Sequence, residues 1–333
     1  MEVEVFKRSD DFLKMILSSR PLKSQMPDMQ QKPVGLGVAA GHHGEIIQGA
    51  MRHEGHSIQR FLVTMPCHDL VTYARFELSP APSSRIVVPQ GKTKSRKAAE
   101  ATLRYLQQDA IGGHLTLLSN IDEGFGMGSS TSDVVATIRA VSDAFDVTLT
   151  PETIARLAVD TESASDAIMF DNTCVMFAQR HGTVLSYLGS SLPPLYILSV
   201  NSSIDAPVDT LANPAAQYND WEFESFRALT GMLRRAVRNR NPSLLGRVAT
   251  ASALISQRHL PKPKFTDILS IARAHQACGV QVSHSGTMVG LLFDTRCPKQ
   301  TNNIEAASRD LSSIGITPRL RFSSKAERFE NET

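Results

Sequence analysis

Residues 122–132 read DEGFGMGSSTS, and the interpretation of the chain turns on them. Glycines alternate at 124, 126 and 128. Ser129, Ser130, Thr131 and Ser132 then lead into a segment where Val134, Ile138, Val141 and Phe145 recur at helical intervals. Glycine lets a backbone turn sharply and come close to a ligand. The free N–H groups of a first helical turn, with the positive end of the helix dipole behind them, suit a polyphosphate. A serine hydroxyl beside them can ligate Mg²⁺, a hard cation that takes oxygen donors. The stretch is neither a P-loop, which needs a lysine, nor GxGxxG. A glycine turn followed by a serine N-cap explains the same spacing, so the loop alone leaves both readings open.

Three other stretches carry comparable signals. Upstream, GHHGEIIQG at 41–49 sets three glycines around a lone acid, Glu45; it reads as a turn built for close backbone contact or as a glycine-rich hairpin. Downstream, ESASDAIMFD at 162–171 offers the carboxylates Glu162, Asp166 and Asp171. Near a phosphate site, carboxylates complete a Mg²⁺ shell or accept a proton from an attacking hydroxyl; elsewhere they are loop and capping acids. Late in the chain, HSGTMVG at 284–290 has small residues that would permit close approach to the first glycine loop across a cleft.

The rest of the chain reads as alternating short strands and helices. Strands are expected at 61–65 and 69–76, separated by Pro66, and a helix at 94–108 with Ala98, Ala101, Tyr105 and Leu106 on one side. A strand follows at 114–118. Thr150-Pro151-Glu152 is a helix start, with Thr150 as N-cap. A hairpin spans 174–188 with its turn at His181-Gly182. After a Gly/Ser/Pro cluster at 189–194 come a strand at 195–200, helices at 220–240, 243–257 and 266–278, strands at 280–283 and 289–293, a helix at 303–313 and a last strand at 318–322. That order suggests an α+β second half with helices on one face of an antiparallel sheet. Residues 1–32 read as an appendage with one short helix near 11–17.

Composition narrows the function classes. The chain has 333 residues, with 35 Lys+Arg against 33 Asp+Glu and a formal charge of +2. That balance argues against a protein whose main partner is nucleic acid. Cys67, Cys174, Cys278 and Cys297 form no CxxC pair, which fits a reducing, cytoplasmic setting. No apolar run is long enough to span a membrane, and the first residues carry acids where a secretory signal would be apolar. His42, His43, His53, His56 and His68 crowd one region, yet match no HExxH or HxH ligand spacing. No GxSxG elbow is present.

Taken in order, GHHGEIIQG, GFGMGSSTS, the acid cluster and HSGTMVG resemble the motifs of the GHMP kinases, the family of galactokinase, homoserine kinase and mevalonate kinase. The resemblance covers residues 34–322. The pairing of GExxQG with a late HSGTxxG, the TMPC run at 64–67 and the DAIMF run at 166–170 look most like the L-threonine kinases of cobamide biosynthesis.

The resemblance implies an α+β, two-domain architecture: a ribosomal-protein-S5-domain-2-like N-terminal ATP-binding domain at 33–190 and a ferredoxin-like C-terminal domain at 191–325, with an extension at 1–32 and a tail at 326–333. It implies ATP and Mg²⁺ as cofactors. Glu123, Gly124, Phe125, Gly126, Met127, Gly128, Ser129, Ser130 and Thr131 would wrap the phosphates. Ser130 and Glu162 would hold the metal, and Asp166 would act as base toward the acceptor hydroxyl. His42, His43, Gly44, Glu45 and Gln48 would line the substrate side, with Ser285, Gly286 and Thr287 closing the cleft. The acceptor would be a small hydroxy amino acid, L-threonine first, in a monomer or homodimer without membrane or nucleic-acid partners. Another hydroxy amino acid or alcohol, or an inactive ligand sensor of the same fold, are the alternatives.

Three departures stand out. Ala39-Ala40-Gly41 precedes His42 and His43 where many members have PGK and its lysine. Asp122-Glu123 replaces the usual leading proline of the phosphate loop. ESASD spaces its acids one residue wider than ExxD.

Overall fold

The computed structural model describes residues 34–52, 57–79, 85–171, 173–203, 216–284 and 286–324. The appendage with its helix near 11–17, the tail at 326–333, His53, His56 and Ser285 lie outside the described residues.

Two long strands, β1 (Val34–Arg52) and β2 (Ile58–Leu78), pair antiparallel and form the spine of the molecule. β2 runs without a break through Pro66, where two strands are expected from the sequence. The reason lies in its neighbours. β4 (Gly113–Ser119) pairs β2 only from Thr72 onward, and β5 (Cys174–Ala178) pairs it at Leu62, so Pro66 faces β1 alone and its missing N–H interrupts no second ladder. β3 (Ile86–Val87) pairs parallel with β4, and β6 (Thr183–Gly189) closes the expected hairpin with β5.

The second half continues the same sheet. β7 (Leu195–Asn201), β8 (Gly279–Val282), β9 (Met288–Asp294) and β10 (Pro318–Ser323) lie in the order β10-β7-β9-β8, all antiparallel, and β8 meets β1 at Glu45↔Val282. That strand order is the ferredoxin-like one implied by the resemblance. The α+β reading therefore holds, with one addition: the two halves share a ten-stranded sheet.

Helices α1 (Thr93–Tyr105), α2 (Ser129–Asp143) and α3 (Pro151–Glu162) cover one face of the first half. Thr150 caps α3 as its sequence predicts, accepting from the Thr153 N–H at 3.2 Å. α1 buries Ala98, Ala99, Thr102 and Leu103, whereas Tyr105, expected on its inner side, is exposed in the last turn.

α4 (Asp220–Arg238) and α5 (Pro242–Ser256) pack Phe226, Leu233, Leu245 and Val248 against β1, β2 and β7. α4 opens with a full capping box between Asn219 and Glu222. α6 (Phe265–Ala274) and α7 (Gln300–Ser313) enclose a third core over β8 and β9. All four cysteines are free. Among the described residues no helix is long and apolar enough to cross a membrane.

Candidate active site

The alternating glycines do what their spacing demands. Gly124, Gly126 and Gly128 all hold positive φ, at 84°, 79° and 76°, and Gly128 is the N-cap of α2 with no side chain capping it. The N–H groups of the first turn are thus left to other partners. A Cβ on Gly128 would stand 2.3 Å from His42 Cδ2, because β1 runs directly behind the loop and the His42 N–H donates to the Met127 carbonyl at 3.1 Å.

Two carboxylates, one on the last residue of α3 and one just beyond it, meet two hydroxyls of that first turn. Ser130 Oγ donates to Glu162 Oε1, and Thr131 Oγ1 lies 3.5 Å from Asp166 Oδ2. Lys94 Nζ, from the first turn of α1, reaches both Ser130 Oγ at 3.0 Å and Glu162 Oε1 at 3.2 Å. Glu162 Oε2 is buried without a partner. Burial raises the Glu162 pKa, opposed by the Ser130 hydrogen bond and the Lys94 charge. A hydroxyl and a carboxylate already sharing an ammonium, with one carboxylate oxygen spare, fit the oxygen chemistry of Mg²⁺.

His42 is the other centre. Its Nε2 lies 2.9 Å from Asp166 Oδ2, and its Nδ1 is 3.8 Å from Glu45 Oε1. Burial pulls the imidazole pKa down, but the Asp166 carboxylate outweighs it and lifts the pKa to about 9. Reciprocally, burial would raise Asp166, and the His42 charge and hydrogen bond hold it below its ordinary value. The pair is an imidazolium–carboxylate pair at neutral pH.

Glu45 is buried with both oxygens unpartnered, and burial pushes its pKa well up against the pull of His42. Atoms of His42, Glu45 and Asp166 lie within 4.8 Å of one another. With His42 Nε2 already 2.9 Å from Asp166, the trio stands here as a hydrogen-bonded group.

Other expected residues sit elsewhere. His43 is fully buried in the seam between the halves: Nε2 is 2.6 Å from Ser199 Oγ, Gln281 Nε2 donates to its carbonyl at 2.5 Å, and its ring packs on Phe322. Burial, reinforced by the His42 charge, lowers its pKa to about 3, so it stays neutral. Gly44 has positive φ and is crowded by the Val282 carbonyl, 2.6 Å from its missing Cβ; the β1–β8 contact explains this glycine. Thr287 Oγ1 donates to Asn201, also within the second half.

Gln48 Oε1 accepts from His284 Nδ1 at 2.5 Å, and its Nε2 reaches Ser256 Oγ at 3.4 Å. Glu123 is exposed and pairs with Lys92 at 2.6 Å. Met127 turns its side chain into the core, and Phe125 lies under the Arg319 guanidinium, so these two offer the site their backbones. Gly286 fulfils the expected approach: a Cβ there would be 2.4 Å from the Phe125 carbonyl. Asp171 points away to Arg139 at 2.7 Å.

Lys92 and Lys94 are side chains beside this group that the sequence reading passes over. Lys92 spans Glu123 and the buried Asp133 at 2.7 Å, which Thr72 also contacts at 3.0 Å. Both lie in the KTK at 92–94, where a helix begins, on a face that ordinarily only meets solvent.

The GHMP kinases N terminal domain model matches residues 94–178 and the GHMP kinases C terminal model matches 233–315. The chain is similar to the L-threonine kinase of Salmonella typhimurium, 30% identical over 210 residues that cover 61% of this chain and 68% of that one. The L-threonine kinase of Citrobacter freundii is also 30% identical, over 201 residues, 57% of this chain and 64% of its own. The homoserine kinase structure from Cytophaga hutchinsonii superposes over 91% of this chain and 98% of that one, with a TM-score of 0.62 and 17% identity, a likeness of fold.

Proposed function

The chain belongs to the GHMP kinase family and is a phosphotransferase with an alcohol acceptor, and on that premise we propose that it converts L-threonine and ATP to O-phospho-L-threonine and ADP. One observation carries the site assignment: Glu162 and Asp166 meet the two successive hydroxyls Ser130 and Thr131 on the first turn of α2, in front of the glycine loop. That relatives are named L-threonine kinase supports L-threonine as the acceptor.

ATP lies with its phosphates on the backbone N–H groups of 124–131. Ser130 and Glu162 would hold Mg²⁺, with Lys94 beside them as a further positive charge. The metal, when bound, neutralises charge on the phosphate oxygens. The acceptor hydroxyl rests against Asp166. Its oxygen forms the new bond to the γ-phosphorus as the bond to the ADP oxygen breaks, and the electron pair leaves with ADP. The hydroxyl proton passes to Asp166 late, once the new bond is well formed. A carboxylate of depressed pKa suffices there, because little charge develops on the nucleophile in a loose transition state. His42 keeps Asp166 ionised and supplies the fixed positive charge at the place where many family members carry lysine. Positioning and fixed charge supply most of the acceleration.

The test is an acceptor panel with ATP and Mg²⁺: L-threonine, L-serine, L-homoserine and simple hydroxy acids, with products followed by mass. L-Threonine is expected to give the highest kcat/KM. Preference for another amino acid reassigns the acceptor, and no phosphorylated product from any of them removes the amino-acid reading.

A further inference from the structure

Lys262 is a buried cation that the phosphoryl-transfer steps above leave unused. Only 6% of its surface is exposed. Its Nζ donates to the Gly286 carbonyl at 2.6 Å. Among the described residues no carboxylate pairs with it, and burial alone acts on its ammonium, lowering the pKa to about 8. An ammonium withdrawn from water without an anion is costly, and it has three donors to satisfy. Such a group calls for a partner.

Its surroundings say which kind. Gly286, which it holds, backs onto the glycine loop at Phe125. His284 is anchored to Gln48, and its pKa is lowered first by burial, with Asp166 pulling it up and the positive charges of Lys262, Arg60 and Arg180 pushing it down. Along β1 the order is His42 beside Met127 of the glycine loop, then Glu45, then Gln48. Arg60, opposite Ala50, extends the positive run farther the same way. Lys262, Arg60 and Arg180 therefore gather around His284, which also faces Asp166, and Lys262 sits where Gly286 meets the glycine loop, between the phosphate cradle and Gln48. An acceptor whose hydroxyl rests on Asp166 would extend its remaining polar groups toward Lys262.

We propose that Lys262, with His284 beside it, receives the α-carboxylate of the amino-acid acceptor and makes the enzyme select amino acids over the corresponding amino alcohols. This rests on the acceptor reading above. The competing anion is a phosphoryl group of ATP, and the kinetics separate the two.

The experiment compares L-threonine with L-threoninol, in which a hydroxymethyl group replaces the carboxylate, counting only phosphorylation at the secondary hydroxyl, on the wild type, Lys262→Met and Lys262→Arg, with thermal denaturation to verify folding. The wild type should favour L-threonine about a hundredfold in kcat/KM, the scale of a desolvated charge-assisted contact. Lys262→Met should raise KM for L-threonine at least about tenfold, leave KM for ATP within about threefold, and erase most of the preference. Lys262→Arg should restore part of it. A lysine that merely braces the Gly286 loop would not alter the threonine-to-threoninol ratio. Equal use of both acceptors by the wild type overturns the proposal, as does a folded Lys262→Met whose KM rises for ATP instead. If Lys262→Met does not fold, the wild-type ratio decides. Turnover of L-threonine without preference sinks the carboxylate site alone; turnover of no hydroxy amino acid means that the acceptor reading has failed and takes this one with it.

Discussion

Replacing His42 by glutamine isolates the charge of the imidazolium, because the amide keeps a donor within reach of Asp166 while losing the proton. In the fold the His42 pKa stands at about 9 against an ordinary 6.5. At 1.36 kcal/mol per unit this is worth on the order of 3 kcal/mol. The sign follows from linkage. A raised folded pKa means that the native state binds the extra proton, so the stabilisation is complete below pH 6.5 and is lost as pH rises through about 9.

His43 and Lys262 titrate too, at about 3 and about 8 in the fold, so the informative quantity is the difference between wild type and variant. That difference should be about 3 kcal/mol near pH 6, roughly 5 °C or more in Tm, and should shrink toward zero by about pH 10. At pH 7, kcat/KM should fall about tenfold to a hundredfold, as Asp166 loses a charge-assisted partner at 2.9 Å. Denaturation curves from pH 5 to 10 for both proteins, with rates alongside, check this. A stability difference that is the same at pH 6 and pH 9.5 would show that His42 contributes packing, not charge, and the reasoning about Asp166 would fall.

Further expectations concern neighbouring groups. Ser130→Ala and Glu162→Gln should each lower turnover at least about tenfold and raise the Mg²⁺ concentration for half-maximal rate, measured by metal titration; unchanged Mg²⁺ dependence would misplace the metal. Asp166→Asn should lower kcat by roughly 10² or more with little change in KM for ATP, read from steady-state kinetics. Gly128→Ala puts a side chain 2.3 Å from His42 at a φ of 76°, so it should cost about 1–3 kcal/mol of stability and weaken nucleotide binding, seen by calorimetry.

The parts of this site that depend on local backbone rules were readable from the chain. Alternating glycines followed by hydroxyl residues and a helical period lead to a helix start after the loop, though the serine N-cap that the spacing allows is not formed because Gly128 takes that position, and Thr150-Pro151 leads to a capped helix. The meeting of Ser130 with Glu162 was expected from the order of motifs, not from spacing. What was hidden depends on long-range register. β1 shifts register between Ala40 and Gly41, between His42 and Glu45, and again between Glu45 and Ile47. Each shift re-aims a side chain, so simple alternation gives no means of knowing that His42 meets Asp166 while His43 turns to Ser199. Gly44 looked like a ligand glycine, yet it serves the β1–β8 contact. Lys92, Lys94 and Lys262 were invisible because a lysine is ordinarily a solvated charge; only burial and partners distinguish these three.

The most direct measurement mixes the purified protein with ATP, Mg²⁺ and L-threonine and quantifies ADP and O-phospho-L-threonine in the same sample. The account predicts equal amounts of both, formed at a rate that Asp166→Asn reduces by roughly 10² or more. ADP without phosphothreonine, or nucleotide bound with no phosphoryl transfer to any hydroxy amino acid, would contradict it.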